Sequence, residues 1–201
     1  MKVLSKFNKK DLWTIPNILC YIRFLLVPVF VVQYIRADEP REYMQAAAIV
    51  FTSGLTDFLD GFIARTFNMI TELGKLIDPI ADKLTQAALI FVLVYKFEWT
   101  IPLLMLVILF VAMQLFLLVA GLAMIKKDKR LDGSKWFGKI STAVFYAVML
   151  VLVAFPNIGE SIANILMFIC GAFLALSFIL YIREYFRMYH DIKEEESIRA
   201  N

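Results

Sequence analysis

Residues 56–83 read TDFLDGFIARTFNMITELGKLIDPIADK, and the rest of the sequence is best understood from them. This stretch places four aspartates in an otherwise apolar part of the sequence: Asp57, Asp60, Asp78 and Asp82. A carboxylate at membrane depth is costly, so such residues usually face a polar cavity and serve a function. Four of them close together require a positive counter-charge.

The spacing of the aspartates indicates how they share that charge. Asp57 and Asp60 lie three residues apart, so on a helix they occupy one face. Asp78 and Asp82 lie four residues apart and share a face in the same way. Carboxylate oxygens suit Mg²⁺, Mn²⁺ or Ca²⁺ better than Zn²⁺, and no His or Cys lies nearby in the sequence. We therefore expect two facing helices to hold paired metal ions through oxygen ligands, beside a phosphate group.

Small residues flank the aspartates. Gly61 and Ala64 follow the first pair by one helical turn, and Gly74 precedes the second pair by one turn. We expect the space beside them to admit a flat base or a pyrophosphate. Arg65 ends the first segment, where its planar guanidinium can bind a phosphate.

The composition predicts an all-α integral membrane protein. Of the 201 residues, 61% are hydrophobic and 19% are charged, which is too apolar for an ordinary soluble domain. We predict a single membrane domain over residues 1–201, with a short amphipathic helix at 1–13, a core of six transmembrane helices at 14–188 and a polar tail at 189–201. Cys20 and Cys170 lie in apolar runs and are predicted to be small buried side chains.

Six apolar runs are long enough for transmembrane helices. They cover about residues 15–35, 43–65, 73–95, 102–125, 136–155 and 162–185. Both halves of the aspartate stretch then lie at the same membrane face.

Positive residues predict the orientation in the membrane. Six spans place both termini on one side, together with the basic loop at 126–130 and four cations near the end: Arg183, Arg187, Lys193 and Arg199. The opposite side carries Arg36, Arg41 and Lys96. By the positive-inside rule, both termini and the aspartates face the cytoplasm. The compact length and the lack of a transit-like leader favour the cytoplasmic membrane of a bacterium.

Other functional classes have less support in the sequence. It contains no P-loop and no Ser/His/Asp arrangement, and membrane topology explains its basic residues without nucleic-acid binding. A membrane cation transporter is the alternative from another class, because intramembrane acids also mark ion paths. Such a path predicts acids spread through several spans, whereas these aspartates cluster at one face.

The aspartate stretch fits the pattern D-x2-D-G-x2-A-R-x8-G-x3-D-x3-D at every fixed position. The matching residues are Asp57, Asp60, Gly61, Ala64, Arg65, Gly74, Asp78 and Asp82. The pattern resembles the signature of the CDP-alcohol phosphatidyltransferases. This resemblance implies a six-helix enzyme of phospholipid biosynthesis, usually a homodimer among membrane lipids, that uses CDP-diacylglycerol and an alcohol and releases CMP.

The resemblance also implies roles for individual residues. Two Mg²⁺ or Mn²⁺ ions are expected on Asp57, Asp60, Asp78 and Asp82. Asp82 is also expected to be the base that takes the proton of the attacking hydroxyl. The nucleotide-binding residues by motif position are Thr56, Asp57, Gly61, Ala64, Arg65, Gly74 and Asp78. A covalent nucleophile is not needed, so we expect direct in-line attack on the β-phosphorus.

Shorter motifs bear on the acceptor alcohol. Residues 15–17 (Ile-Pro-Asn) with Arg23 downstream, and residues 138–142 (Gly-Lys-Ile-Ser-Thr), resemble the branch that uses glycerol 3-phosphate and also the cardiolipin-forming branch. Met113-Gln114 departs from the first branch, whose members usually carry an Arg-Glu pair in the fourth span. Our first expectation is glycerol 3-phosphate, with phosphatidylglycerol or another acceptor such as inositol phosphate as alternatives. The candidate acceptor-binding residues are Asn17, Arg23, Lys135 and Lys139.

Overall fold

A computed structural model describes residues 13–71, 73–126 and 136–200. All regular secondary structure in these residues is helical. The helices are α1 (Ile15–Ile35), α2 (Pro40–Thr66), α3 (Gly74–Lys96), α4 (Ile101–Lys126), α5 (Trp136–Ala154) and α6 (Glu160–Ala200). The predicted all-α class with six helices is confirmed, while residues 1–12 of the predicted amphipathic helix lie outside the described residues.

Five of these helices, all except α3, are long and apolar enough to cross a membrane. The exception carries Asp78, Asp82 and Lys83 within its 23 residues, so its first half is polar. The last helix, α6, has 41 residues. At 1.5 Å per residue it is about 60 Å long, roughly twice the thickness of the hydrocarbon core of a bilayer. The predicted polar tail therefore continues the last span as helix up to Ala200.

Local sequence signals explain where α2 begins and ends. Glu39 and Glu42 form a capping box at its start. At its other end Asn68 adopts a φ of 53°, and the backbone N–H of Met69 donates to the Ala64 carbonyl at 2.9 Å. A left-handed residue followed by this hydrogen bond is a common way to end a helix. The chain therefore leaves α2 directly after the first half of the aspartate stretch.

The chain divides into two compact units. The first contains α1, α2, α3 and the end of α5, and the second contains α4, the first part of α5 and α6. In the first unit α1 contacts both α2 and α3, and its core buries Phe30, Tyr34, Tyr43 and Leu89. As a result, α1 can bring side chains to both halves of the aspartate stretch. The single membrane domain over residues 1–201 stays a prediction.

In the second unit α4 packs against α6. The ring of Phe116 meets those of Phe178 and Tyr185 edge to face, with centroids 5.5 and 5.7 Å apart. Gly138 on α5 lies directly against the Tyr181 hydroxyl on α6, in space that a larger side chain would occupy. Small and aromatic residues thus set the close approach of these helices.

Candidate active site

One guanidinium joins the two aspartates of α2. Arg23 on α1 places Nη1 2.7 Å from Asp57 Oδ1 and Nη2 2.5 Å from Asp60 Oδ2. The side chains of Arg23 and Asp60 are 2% and 4% exposed, whereas that of Asp57 is 53% exposed. A buried charge needs a partner, and here α1 supplies the counter-charge for the aspartates of α2. Of the two aspartates on α2, Asp57 is therefore the one that a ligand can reach.

Cys20, one turn before Arg23 on α1, connects the two halves of the aspartate stretch. Its thiol donates a hydrogen bond to Asp78 Oδ1 on α3 and lies 3.5 Å from Asp60 Oδ2 on α2. The sulfur and one oxygen of each aspartate lie within 4.8 Å of one another. Cys20 is buried, as predicted. The sequence did not predict this contact, because a meeting of three helices brings in a cysteine that is distant in sequence. The metal-binding roles of the aspartates stay predictions.

The second pair of aspartates lies on α3. Gln86 Nε2 donates to Asp82 Oδ2 at 3.1 Å, and Gln86 itself is buried. Asp57 interacts electrostatically with Asp78 and Asp82 across the helices. The structure therefore brings all four aspartates into one cluster where α1, α2 and α3 meet. Gln86 was not among the predicted site residues, although its position four residues after Asp82 on a helix was a visible signal.

The two glycines of the motif have different surroundings. A Cβ at Gly61 would meet no atom within 4 Å among the described residues, so the space beside this turn of α2 is open. A Cβ at Gly74 would lie 2.8 Å from Asn17 Oδ1 and 3.0 Å from Thr71 Oγ1. The expectation of open space beside Gly74 is wrong, because the Asn17 and Thr71 side chains fill it.

Asn17 connects α1 to the start of α3. Its Nδ2 donates to Thr71 Oγ1 at 3.2 Å, and the backbone N–H of Gly74 donates to the same oxygen at 2.9 Å. Asn17 is almost fully buried. It therefore helps to position the helix that carries Asp78. Its role in acceptor binding stays a prediction, as does that of Arg23.

The other predicted site residues lie around the cluster, in the second unit or beyond the described ranges. Thr56 is partly exposed and donates its hydroxyl to a carbonyl of the preceding turn at 2.7 Å. Ala64 is partly buried and Arg65 is exposed, both in the last turn of α2. Lys139 is exposed in the first turn of α5, within the second unit. Lys135 lies outside the described residues. The binding roles of these residues stay predictions.

The chemistry of the cluster fits a divalent cation. Its carboxylate oxygens are ligands that Mg²⁺ and Mn²⁺ prefer. The ion pairs of Arg23 show that the aspartates of α2 are arranged around positive charge. The thiol of Cys20 adds one softer donor.

Comparisons with known proteins agree with this chemistry. Residues 13–180 match the family model described as CDP-alcohol phosphatidyltransferase. A protein of Escherichia coli (strain K12) is 30% identical over 169 residues, which cover 82% of this chain and 90% of that protein. A protein of Salmonella paratyphi A is 31% identical over 170 residues, with the same coverage. A protein of Rickettsia bellii is 38% identical over 82 residues, or 41% of this chain and 45% of that protein.

All three relatives carry the name "CDP-diacylglycerol--glycerol-3-phosphate 3-phosphatidyltransferase". The family match includes residues 13–98 of the first unit. It therefore includes all four aspartates. The chain belongs to the CDP-alcohol phosphatidyltransferase family.

Proposed function

We propose that this membrane enzyme transfers the phosphatidyl group of CDP-diacylglycerol to glycerol 3-phosphate and releases CMP, as a step of phospholipid synthesis. The observation that carries the proposal is a cluster of four carboxylates from α2 and α3, three of which contact Arg23 or Cys20 on α1, within the region that matches the family. The names of the relatives support glycerol 3-phosphate as the acceptor.

The four aspartates are the proposed ligands of two Mg²⁺ or Mn²⁺ ions. Bound divalent ions stabilise the negative charge that grows on the phosphate oxygens toward the transition state. The aspartates also repel the substrate pyrophosphate, so the positive charge of the bound ions is needed before CDP-diacylglycerol can bind. Arg65, exposed in the last turn of α2, is a proposed phosphate contact, because its guanidinium presents donors in a planar fork.

The remaining nucleotide contacts follow the sequence motif. We assign them to Thr56, Asp57, Gly61, Ala64, Gly74 and Asp78, together with Arg65. The open space beside Gly61 supports this assignment, because a flat base or a pyrophosphate needs room next to α2. Gly74 contributes through backbone position, since its own side is filled by Asn17.

Asp82 is the proposed base. It accepts the proton of the acceptor hydroxyl as the hydroxyl oxygen attacks the β-phosphorus of CDP-diacylglycerol. The new bond joins the acceptor oxygen to that phosphorus, and the bond from phosphorus to the bridging oxygen breaks, so that CMP leaves with the electron pair. The hydrogen bond from Gln86 to Asp82 Oδ2 holds the carboxylate in one orientation for this transfer.

Acceptor choice is tested by assay of the purified protein with CDP-diacylglycerol and each alcohol in turn. We expect CMP release with glycerol 3-phosphate, for which Asn17, Arg23, Lys135 and Lys139 are the proposed contacts. CMP release with phosphatidylglycerol but not with glycerol 3-phosphate would indicate cardiolipin-type transfer. Release with inositol phosphate alone would indicate the third acceptor. The departure at Met113-Gln114 makes this comparison the decisive one.

The membrane arrangement is proposed from charge. The positive-inside rule places both termini and the aspartate cluster on the cytoplasmic side of a bacterial inner membrane. This side supplies nucleotides and glycerol 3-phosphate to the site. We further propose a homodimer surrounded by membrane lipids. Labelling of single cysteines near each terminus in intact cells tests the orientation, and mass measurement in detergent tests the dimer.

A further inference from the structure

Arg23 is the centre of the charge arrangement in the site. It pairs with Asp57 and Asp60 through two different nitrogens, at 2.7 and 2.5 Å. The same two carboxylates are proposed ligands of a divalent ion. A guanidinium and a divalent cation repel each other, so both cannot hold the same oxygens at full strength.

A second observation concerns the Nε of Arg23. This nitrogen is buried and has no hydrogen-bond partner among the residues that the structure describes. A buried donor without an acceptor is unfavourable, so such groups usually meet a partner in a working state of the protein. The N–H groups of a guanidinium donate hydrogen bonds to anions or carbonyl oxygens. A phosphate matches the planar arrangement of these donors.

We propose that Arg23 is a resident counter-cation, which a divalent ion displaces from Asp57 and Asp60, and that its guanidinium then binds a phosphate of the substrate. This inference rests on the proposed function, because it takes these aspartates as ligands of the ion. The two binding events are coupled and the coupling is reciprocal: the ion frees the guanidinium for phosphate, and bound phosphate keeps it away from the aspartates.

The phosphate has two possible sources in the proposed reaction. One is the pyrophosphate of the CDP-lipid, and the other is the phosphate of glycerol 3-phosphate. Both offer oxygens that a guanidinium can bind in bidentate fashion. Separate measurements with CDP and with glycerol 3-phosphate distinguish them.

The test uses the purified full-length chain in detergent and measures Mn²⁺ binding from the spectrum of the free ion. Arg23→Gln removes the competing charge, so we expect it to bind Mn²⁺ about tenfold more tightly than wild type, a size usual for coupled binding. Arg36→Gln is the matched control, because this substitution also removes one positive charge. Arg36 is exposed at the end of the same helix. The Mn²⁺ affinity of Arg36→Gln is expected to equal that of wild type.

The anion measurements complete the test. In wild type and Arg36→Gln, adding Mn²⁺ is expected to strengthen binding of CDP or of glycerol 3-phosphate. In Arg23→Gln this gain is expected to be smaller for the anion that Arg23 binds and unchanged for the other, which identifies the source of the phosphate. A gain for both anions equal to that of wild type would overturn phosphate binding by Arg23.

Stability measurements guard against a destabilised variant. A ligand that binds the folded state raises the unfolding temperature, and at one ligand concentration a tighter ligand raises it more. Mn²⁺ is therefore expected to raise that of Arg23→Gln more than that of wild type. A purely structural ion pair predicts the same rise in both, and would overturn the proposal. If Arg23→Gln does not fold, Arg23→Lys is the deciding variant. It keeps the positive charge but loses Nε and the planar set of donors. If Mn²⁺ strengthens anion binding in Arg23→Lys as much as in wild type, the proposal is also overturned.

One more variant separates this proposal from the function on which it rests. Asp78→Asn is expected to weaken Mn²⁺ binding in either background. Mn²⁺ binding unchanged by Asp78→Asn would overturn the proposed metal site itself. Mn²⁺ binding that is lost in Asp78→Asn but not tightened in Arg23→Gln would overturn only the role of Arg23.

Discussion

The thiol of Cys20 on α1 donates to a carboxylate oxygen of Asp78 on α3, and this contact joins the first helix to the second half of the aspartate stretch. Cys20 lies three residues after Asn17 and three before Arg23, so all three side chains extend from one face of α1. Each of them contacts α2, α3 or the segment just before α3. The site is therefore assembled on α1, between the two helices that carry the motif.

Replacement of Cys20 tests the value of this contact. Cys20→Val removes the thiol donor, so a carboxylate oxygen of Asp78 loses its hydrogen bond. One lost hydrogen bond costs roughly 1–1.5 kcal/mol. We therefore expect the rate of CMP release to fall about tenfold. Cys20→Ser keeps a donor and is expected to stay close to wild type. The measurement is kcat with saturating CDP-diacylglycerol.

Cys170 provides the matched control for this series. It is buried in an apolar stretch of α6, within the second unit. Cys170→Val is expected to retain the activity of wild type. Equal activity of Cys20→Val and Cys170→Val would show that the thiol does not support the site.

Thiophilic cations provide a second prediction. The sulfur of Cys20 lies within 4.8 Å of oxygens of Asp60 and Asp78, and soft ions such as Cd²⁺ prefer sites that include sulfur. We expect Cd²⁺ to inhibit wild type and Cys170→Ser at similar concentrations. Inhibition of Cys20→Ser should require on the order of tenfold more Cd²⁺. Identical inhibition curves for the two serine variants, measured as CMP release at fixed Mg²⁺, would argue against capture of the ion by this sulfur.

The sequence predicted the helices well because their signals are local. Long apolar runs depend on neighbours within a few positions, and the six helices follow the predicted runs, although α2 begins three residues before its predicted run, at Pro40. The spacing of Asp57 with Asp60 and of Asp78 with Asp82 likewise showed which acids share a face. These patterns need no knowledge of which helices are neighbours.

The parts that could not be predicted depend on contacts between helices. A cysteine in an apolar run has the same local pattern whether it faces lipid or a carboxylate, so Cys20 was expected to be a simple buried residue. The side chain of Asn17 fills the space beside Gly74 from 57 positions earlier in the chain. No periodicity within one helix reports such distances.

The two motif glycines provide a third prediction, since their surroundings differ. Gly74→Ala would press a Cβ against Asn17 and Thr71, so we expect a loss of about 1–3 kcal/mol in stability, as for other overpacked sites. Gly61→Ala meets open space and should leave the fold intact, because alanine favours a helix by up to about 1 kcal/mol over glycine.

Their kinetic effects should differ in the same pair. Gly61→Ala places a methyl group in the space assigned to the nucleotide, so KM for CDP-diacylglycerol is expected to rise while the unfolding temperature holds. A KM equal to that of wild type in Gly61→Ala would show that the nucleotide does not bind on that side of α2. Unfolding in detergent and initial rates on the same preparations provide both measurements.

The last prediction separates the roles of the two aspartates on α3. Asp82→Asn removes the proposed base, and loss of general-base catalysis lowers kcat by about 10²–10⁴-fold. Asp78→Asn removes a proposed metal ligand, so we expect it to weaken Mn²⁺ binding more than Asp82→Asn does. Gln86→Leu leaves both carboxylates but removes the hydrogen bond to Asp82 Oδ2. It should lower kcat by less than Asp82→Asn and leave Mn²⁺ binding unchanged. If Asp82→Asn retained the kcat of wild type, the proton would have to pass to another group, and Asp57, the exposed member of the cluster, would be the next residue to test.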